Sequence, residues 1–350
     1  MKIYVPARAS AVPLSVLLLV LVLAGAGWLL DPRALLACYL AAWWFVAGTL
    51  LGGLANVWLH QLTGGAWGDT IRAPLLRAAR WLPLACLLFL PVLAGLHLLY
   101  PWSGASGVEP ATAFRRWWLD PVFFTLRSLA YLLLWSLLAW IETRASARSA
   151  ARAAACLLAY GFSVGLASVD WIMSLQPSWY SSVFGWLTGT GQMLSGMALA
   201  LLLIDRGAAR ARLPDLGNLL LMYVMTWAYL AYVQFLIIWA ADLPREIGWY
   251  LQRSAPGWQA VAWTLLAVHG AVPVAILLSR QAKQAPRLLG ALAAGLLAAH
   301  VLDCWWLVLP SVQGMTRHWL WLAPLVAFGL AAPAWMLLRP AGLARRKAHA

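Results

Sequence analysis

Seven polar residues stand inside long apolar runs of this 350-residue chain, or at their ends: His97, Arg127, Asp170, Gln234, His269, His300 and Asp303. Ionisable groups in such runs are costly, and where they persist they do chemistry or pair with one another. These types suit proton transfer. A histidine ring nitrogen or an aspartate accepts a proton from a hydroxyl being oxidised, and an arginine keeps a carboxylate ionised and orients a carbonyl oxygen. An outward-facing pocket for a quinone headgroup needs such groups. His300 and Asp303 are three residues apart and share one face of a helix. The alternative is structural: Arg127 pairs with Asp170 or Asp303 and joins two helices, and His97 is an interfacial histidine without a role. His269 and Gln192 fall near the middle of their runs, and most other candidates fall toward the outer end.

Metal chemistry has little support. Cys38, Cys86, Cys156 and Cys304 lie singly in four different runs, with no Cys-x-x-Cys, which excludes a self-contained zinc or iron–sulfur site of the usual kind. They read as small buried apolar residues. His97, His269 and His300 are the histidines available as paired axial haem ligands, but their estimated depths differ. No metal or haem is therefore expected on this chain.

The elements that carry these residues follow from composition. Hydrophobic residues make up 63% of the chain and charged residues 10%, against roughly 25% charged in soluble domains. Apolar windows fall near 13–30, 34–56, 81–100, 121–141, 153–173, 181–204, 216–240, 258–279, 287–309 and 318–338. Each is long enough to cross a hydrocarbon core of about 30 Å as a helix. The runs are continuous rather than alternating, so helices are expected and not a barrel. The prediction is an all-α integral membrane protein of about ten transmembrane helices, a single polytopic domain over 1–350. The first run, after Lys2 and Arg8, continues through Trp28–Leu30 and is expected to be a retained helix rather than a cleaved signal.

Charge sets the orientation. Of the 25 Lys and Arg, 18 lie at the termini and in the loops after the second, fourth, sixth and eighth runs, and 6 lie in the alternate loops. Cytoplasmic loops carry such an excess, so both ends are expected inside, in a bacterial inner membrane. The net charge of +14 belongs to these loops and points to no nucleic-acid partner. The 24 Trp, among them the pairs Trp43–Trp44, Trp117–Trp118 and Trp305–Trp306, are expected near helix ends. Asp69-Thr70 is the expected cap of an interfacial helix carrying Arg72, Arg77 and Arg80.

Three stretches carry a family resemblance. Ser168-Val169-Asp170-Trp171-Ile172-Met173-Ser174-Leu175-Gln176-Pro177-Ser178-Trp179-Tyr180-Ser181 resembles a segment of ActF, a membrane subunit of alternative complex III and a relative of the NrfD-like polysulfide reductase membrane anchors. Asp215-Leu216-Gly217-Asn218, Gln234-Phe235-Leu236 and Leu243-Pro244-Arg245-Glu246 continue it, as does His269 with Pro273 and Ser279-Arg280. Departures fall at Asp242, at Arg245 and between His269 and Pro273. The resemblance is close over about 160–285. It implies two four-helix bundles plus two further helices, and a quinol-oxidising complex feeding cytochrome c or an oxidase. It also implies iron–sulfur and cytochrome c partner subunits that carry the cofactors, with a quinone such as menaquinone as the only small molecule near this chain. A secondary transporter and a non-catalytic assembly scaffold remain the alternatives.

Overall fold

The computed structural model describes residues 22, 25–103, 112–312 and 321–338, and every regular element among them is helical. In chain order these are α1 (Pro32–Thr63), α2 (Ala66–Ala79), α3 (Leu82–Leu87), α4 (Leu90–Ala94), α5 (Leu96–Leu99), α6 (Ala113–Trp118), α7 (Pro121–Arg144) and α8 (Ala150–Trp171). There follow α9 (Phe184–Leu203), α10 (Leu213–Ala241), α11 (Pro244–Arg253), α12 (Pro256–Thr264), α13 (Val272–Leu278), α14 (Arg280–Gln284), α15 (Pro286–Val308) and α16 (Leu322–Leu338). A π-helical turn, Leu265–Ala271, joins α12 to α13.

Among the described residues seven helices are long and apolar enough to cross a membrane, or eight if the bent pair Ala66–Ala79 and Leu82–Ala94 makes one crossing. The chain is a multi-pass helical membrane protein. Of the ten expected windows, most of the first lies outside the described residues, as does the start of the tenth. The rest of the tenth is α16, 17 residues with Pro333 inside.

The third window, 81–100, is not one helix. Pro83 has no N–H for the Ala79 carbonyl, nor Pro91 for that of Leu87, and α2 and α3 end at those residues. The chain turns by 42° there. The second window is longer than expected and runs to Thr63, where Gly64 and Gly65 take positive φ in the turn to α2. Asp69 is not the cap of α2; Gly65 holds that position, and Asp69 sits in the first turn.

Helix α1 is the axis of the molecule, with 89% of its apolar window buried. Helices α2, α8, α9, α15 and α16 all pack on it. Its crossing with α9 is a backbone contact: a Cβ on Gly52 would fall on the Gln192 carbonyl, and one on Gly196 on the backbone of Gly53. Small residues permit such approach, and association in lipid depends on packing of this kind. Polar bonds fix the register. Thr49 Oγ1 donates to Ser195 Oγ at 3.1 Å, Asn56 Nδ2 to the Met193 carbonyl at 2.9 Å, and the Tyr223 hydroxyl to Asn56 Oδ1 at 2.7 Å.

Trp43 and Trp44 are not interfacial; each is 1% exposed at mid-helix. They meet Trp171 of α8 at ring distances of 5.4 and 6.0 Å, and Trp171 packs on Phe89 at 4.3 Å. Their position follows from satisfied indoles: Trp43 Nε1 donates to the Ala85 carbonyl, freed by the broken third window, and Trp171 Nε1 to Ser128 Oγ.

Loops gather in two sets. At one end Glu142 Oε1 accepts from Gln61 and Arg72, Arg148 meets Asp69, and Lys283 donates to Asn218. At the other end Arg33 donates to the Leu98 carbonyl, Arg115 to that of Pro177, and Ser181 to Gln234. These sets are the two sides that the charge alternation separates.

The α1–α9 crossing gives a direct expectation. Gly52→Val should cost on the order of 3 kcal/mol or more, as overpacking against backbone does. Gly161→Ala, where a Cβ meets nothing within 4 Å, should leave thermal unfolding in detergent unchanged or raise it. Equal behaviour of the two variants would contradict the crossing.

Candidate functional site

The expected residues separate into two polar centres of opposite character. The first joins the start of α7 to the end of α8. Asp170, fully buried, accepts from Arg127 Nε at 3.0 Å on one oxygen and from Nη2 at 2.9 Å on the other. Trp118 Nε1 adds a bond at 2.8 Å and the Tyr131 hydroxyl one at 3.0 Å. Arg127 Nη1 donates to the Trp118 carbonyl, and the guanidinium lies 4.0 Å from the Trp118 ring. A two-pronged arginine–carboxylate pair with every strong site engaged is a clamp. All three Arg127 nitrogens are engaged in it.

The second centre lies among α9, α10, the π turn and α15. The rings of His269 and His300 are 5.8 Å apart, tilted by 30°. Trp227 of α10 packs on His269 at 4.2 Å, and Phe45 of α1 approaches His300 at 6.0 Å. His300 Nδ1 is 3.4 Å from Asp303 Oδ2, without hydrogen-bond geometry. His269 is fully buried, His300 and Asp303 nearly so. None of the four ring nitrogens finds a hydrogen-bond partner among the described residues, and neither do Gln192 Nε2 and Trp227 Nε1.

Local sequence explains how these groups meet. Pro273 cannot donate to the His269 carbonyl, and the helix loosens into the π turn that carries His269. Gly191 makes room on α9: a Cβ there would stand 2.7 Å from His300 Cε1. Gln192 follows, its Oε1 taken by the Tyr160 hydroxyl at 3.3 Å while its amide nitrogen stays unpartnered. Whatever their difference in depth, the His269 and His300 rings come within 5.8 Å of one another, while His97 lies in neither centre. Among the described residues no three His, Cys, Asp or Glu side chains are disposed to hold a metal ion.

Gln234 and His97 belong to neither centre. Gln234 is buried and accepts from Ser181 Oγ at 3.0 Å, tying α10 to the turn before α9. His97 is exposed on the four-residue helix α5. Ser136, Thr226 and Thr264 each donate to a carbonyl of their own helix. Beside Gln192, Ser195 Oγ donates to its carbonyl and accepts from Thr49 Oγ1; the Tyr223–Asn56 bond is a separate pair.

Arg253 was legible only as a loop charge, yet it is 2% exposed. It donates to the carbonyls of Trp249, Trp306 and Leu307 and to Ser311 Oγ, and stacks 3.5 Å from the Trp249 ring. Pro310 has no N–H for the Trp306 carbonyl, so Arg253 supplies that donor and caps α15. Burial pulls its pKa well below the ordinary arginine value.

Compared with family models and with curated proteins, the chain matches none.

The two centres should respond oppositely to substitution. Asp170→Asn leaves a buried guanidinium short of its counter-charge and should cost about 3–5 kcal/mol. Replacing both partners, Arg127→Met with Asp170→Leu, should recover most of that loss. His269→Phe and His300→Phe remove unpaired polar atoms and should hold or raise the midpoint of thermal unfolding in detergent. A loss at either histidine as large as that at Asp170 would make the second centre structural too.

Proposed function

We propose that this chain is a membrane subunit of a respiratory complex that oxidises quinol and passes the electrons to cytochrome c or a linked oxidase. It would lie in the bacterial inner membrane with ten crossings, arranged as two four-helix bundles plus two helices, and both termini inside. The observation that carries this reading is the buried cluster of His269, His300 and Asp303, whose ring nitrogens are unpartnered. The three stretches resembling ActF support the choice of complex.

Quinol oxidation releases two electrons and two protons. The electrons leave through iron–sulfur and haem groups on partner subunits. The protons need acceptors in a medium without water, and an imidazole with a free lone pair is one. A proton taken by His300 lies 3.4 Å from Asp303, whose charge steadies the imidazolium. His269, 5.8 Å away, is the next group in line. Arg127 and Asp170 are not part of this step; they hold α7 against α8 beside it.

A proton-coupled secondary transporter is the second reading. The cluster at mid-helix and the π-broken segment favour it, since transporters place polar groups beside interrupted helices.

Tagged chain purified from its native membrane should bring down iron–sulfur and c-type cytochrome subunits and oxidise quinol. In that complex Asp303→Asn should assemble normally and slow quinol oxidation by about 100-fold, the scale of a lost proton acceptor. Reporter fusions at the C-terminus and within 206–214 should read cytoplasmic, and those within 104–112 periplasmic. A chain recovered without redox partners, or full turnover in Asp303→Asn, would overturn the reading.

A further inference from the structure

A cleft of about 640 Å³ opens at the basic end of the bundle, between α2 and the turn that follows α9. Arg77 of α2 and Arg212 of the turn line it, together with Asp205 and the apolar residues Pro74, Leu203 and Ile204. Four other arginines near it are committed. Arg72 and Arg152 meet Glu142, Arg148 meets Asp69, and Arg206 donates to the Leu201 carbonyl. Arg77 and Arg212 are exposed and form no ion pair among the described residues. Asp205 turns its Oδ1 to the Gly207 and Ala208 backbone, which donate at 3.0 and 3.3 Å, so the lining carries two guanidinium groups against one carboxylate.

Position defines the ligand. Leu203 ends α9 and Leu213 begins α10, so the cleft sits where two apolar spans stop, at the depth of lipid headgroups. Helix α2 presents Gly68, Ile71, Pro74, Leu75 and Ala78 to the protein and carries Arg72 and Arg77 besides. We infer that this cleft binds the phosphate headgroup of an anionic phospholipid, with Arg77 and Arg212 on the phosphate oxygens and the apolar lining against the first carbons of the chains. Guanidinium groups pair with phosphate through two parallel bonds, and basic pockets on the cytoplasmic side of membrane proteins bind such headgroups. Free phosphate shares the anion but has no use for the apolar lining.

The test is a titration of the full chain in a neutral detergent with short-chain phosphatidylglycerol, read by native mass spectrometry. One saturable equivalent should bind, with phosphatidylcholine and inorganic phosphate each much weaker. The double variant Arg77→Ala with Arg212→Ala should lose about thirty-fold in affinity. Arg280→Ala with Arg287→Ala, exposed charges at the same end outside the cleft, should bind as the unaltered chain does. Equal loss in both double variants would show diffuse surface charge and overturn the site. Equal affinity for phosphatidylcholine would overturn its selectivity for charge. Inorganic phosphate binding as tightly as the lipid would overturn the lipid as its ligand.

Discussion

A buried polar group inside hydrocarbon has no water to turn to, and leaving it unpaired costs several kcal/mol. That constraint sorts the polar residues of this chain. At Asp170 it is met in full, by two arginine bonds, an indole and a phenol. At Arg253 it is met by carbonyls that proline and helix termination leave free. The ring nitrogens of His269 and His300 and the amide nitrogen of Gln192 have no partner among the described residues. A protein keeps such groups when protons or a ligand complete them, and the functional reading rests on that contrast.

The two centres depend on one scaffold. The glycine contact between α1 and α9 sets the position of the segment Gly191-Gln192, and the space at Gly191 admits the His300 ring. Pro273 shapes the π turn that brings His269 to the same place. Helix α8, held by the Arg127–Asp170 clamp and by Trp171 in the aromatic core, supplies Tyr160 to Gln192. Disturbing the crossing or the clamp therefore reaches the histidines indirectly, whereas changing the histidines leaves the scaffold in place.

Much of this was legible in the chain. Apolar length showed the helices, charge alternation separated the two sets of loops, and one of the two expected partnerships of Arg127 is the one formed. The adjacency of His269 and His300 was not legible, because apolar runs do not say which faces of the π turn and α15 meet. Trp43 misled because the preference of Trp for interfaces gives way where a buried carbonyl takes the indole N–H. The break in 81–100 was written in Pro83 and Pro91, but the apolar count over that window outweighed them. Arg253 gave no local sign, since apart from the Trp249 carbonyl its acceptors lie more than fifty residues away along the chain.

The central claim is that the His269–His300–Asp303 cluster exchanges protons rather than merely filling space. Solid-state NMR of the full chain in bilayers, with ¹⁵N-labelled histidine rings and His→Phe variants for assignment, addresses it directly. The rings of His269 and His300 should receive magnetisation from water, and at least one should change protonation between about pH 5 and pH 9. Ring signals that stay fixed over that range, without contact to water, would contradict the account.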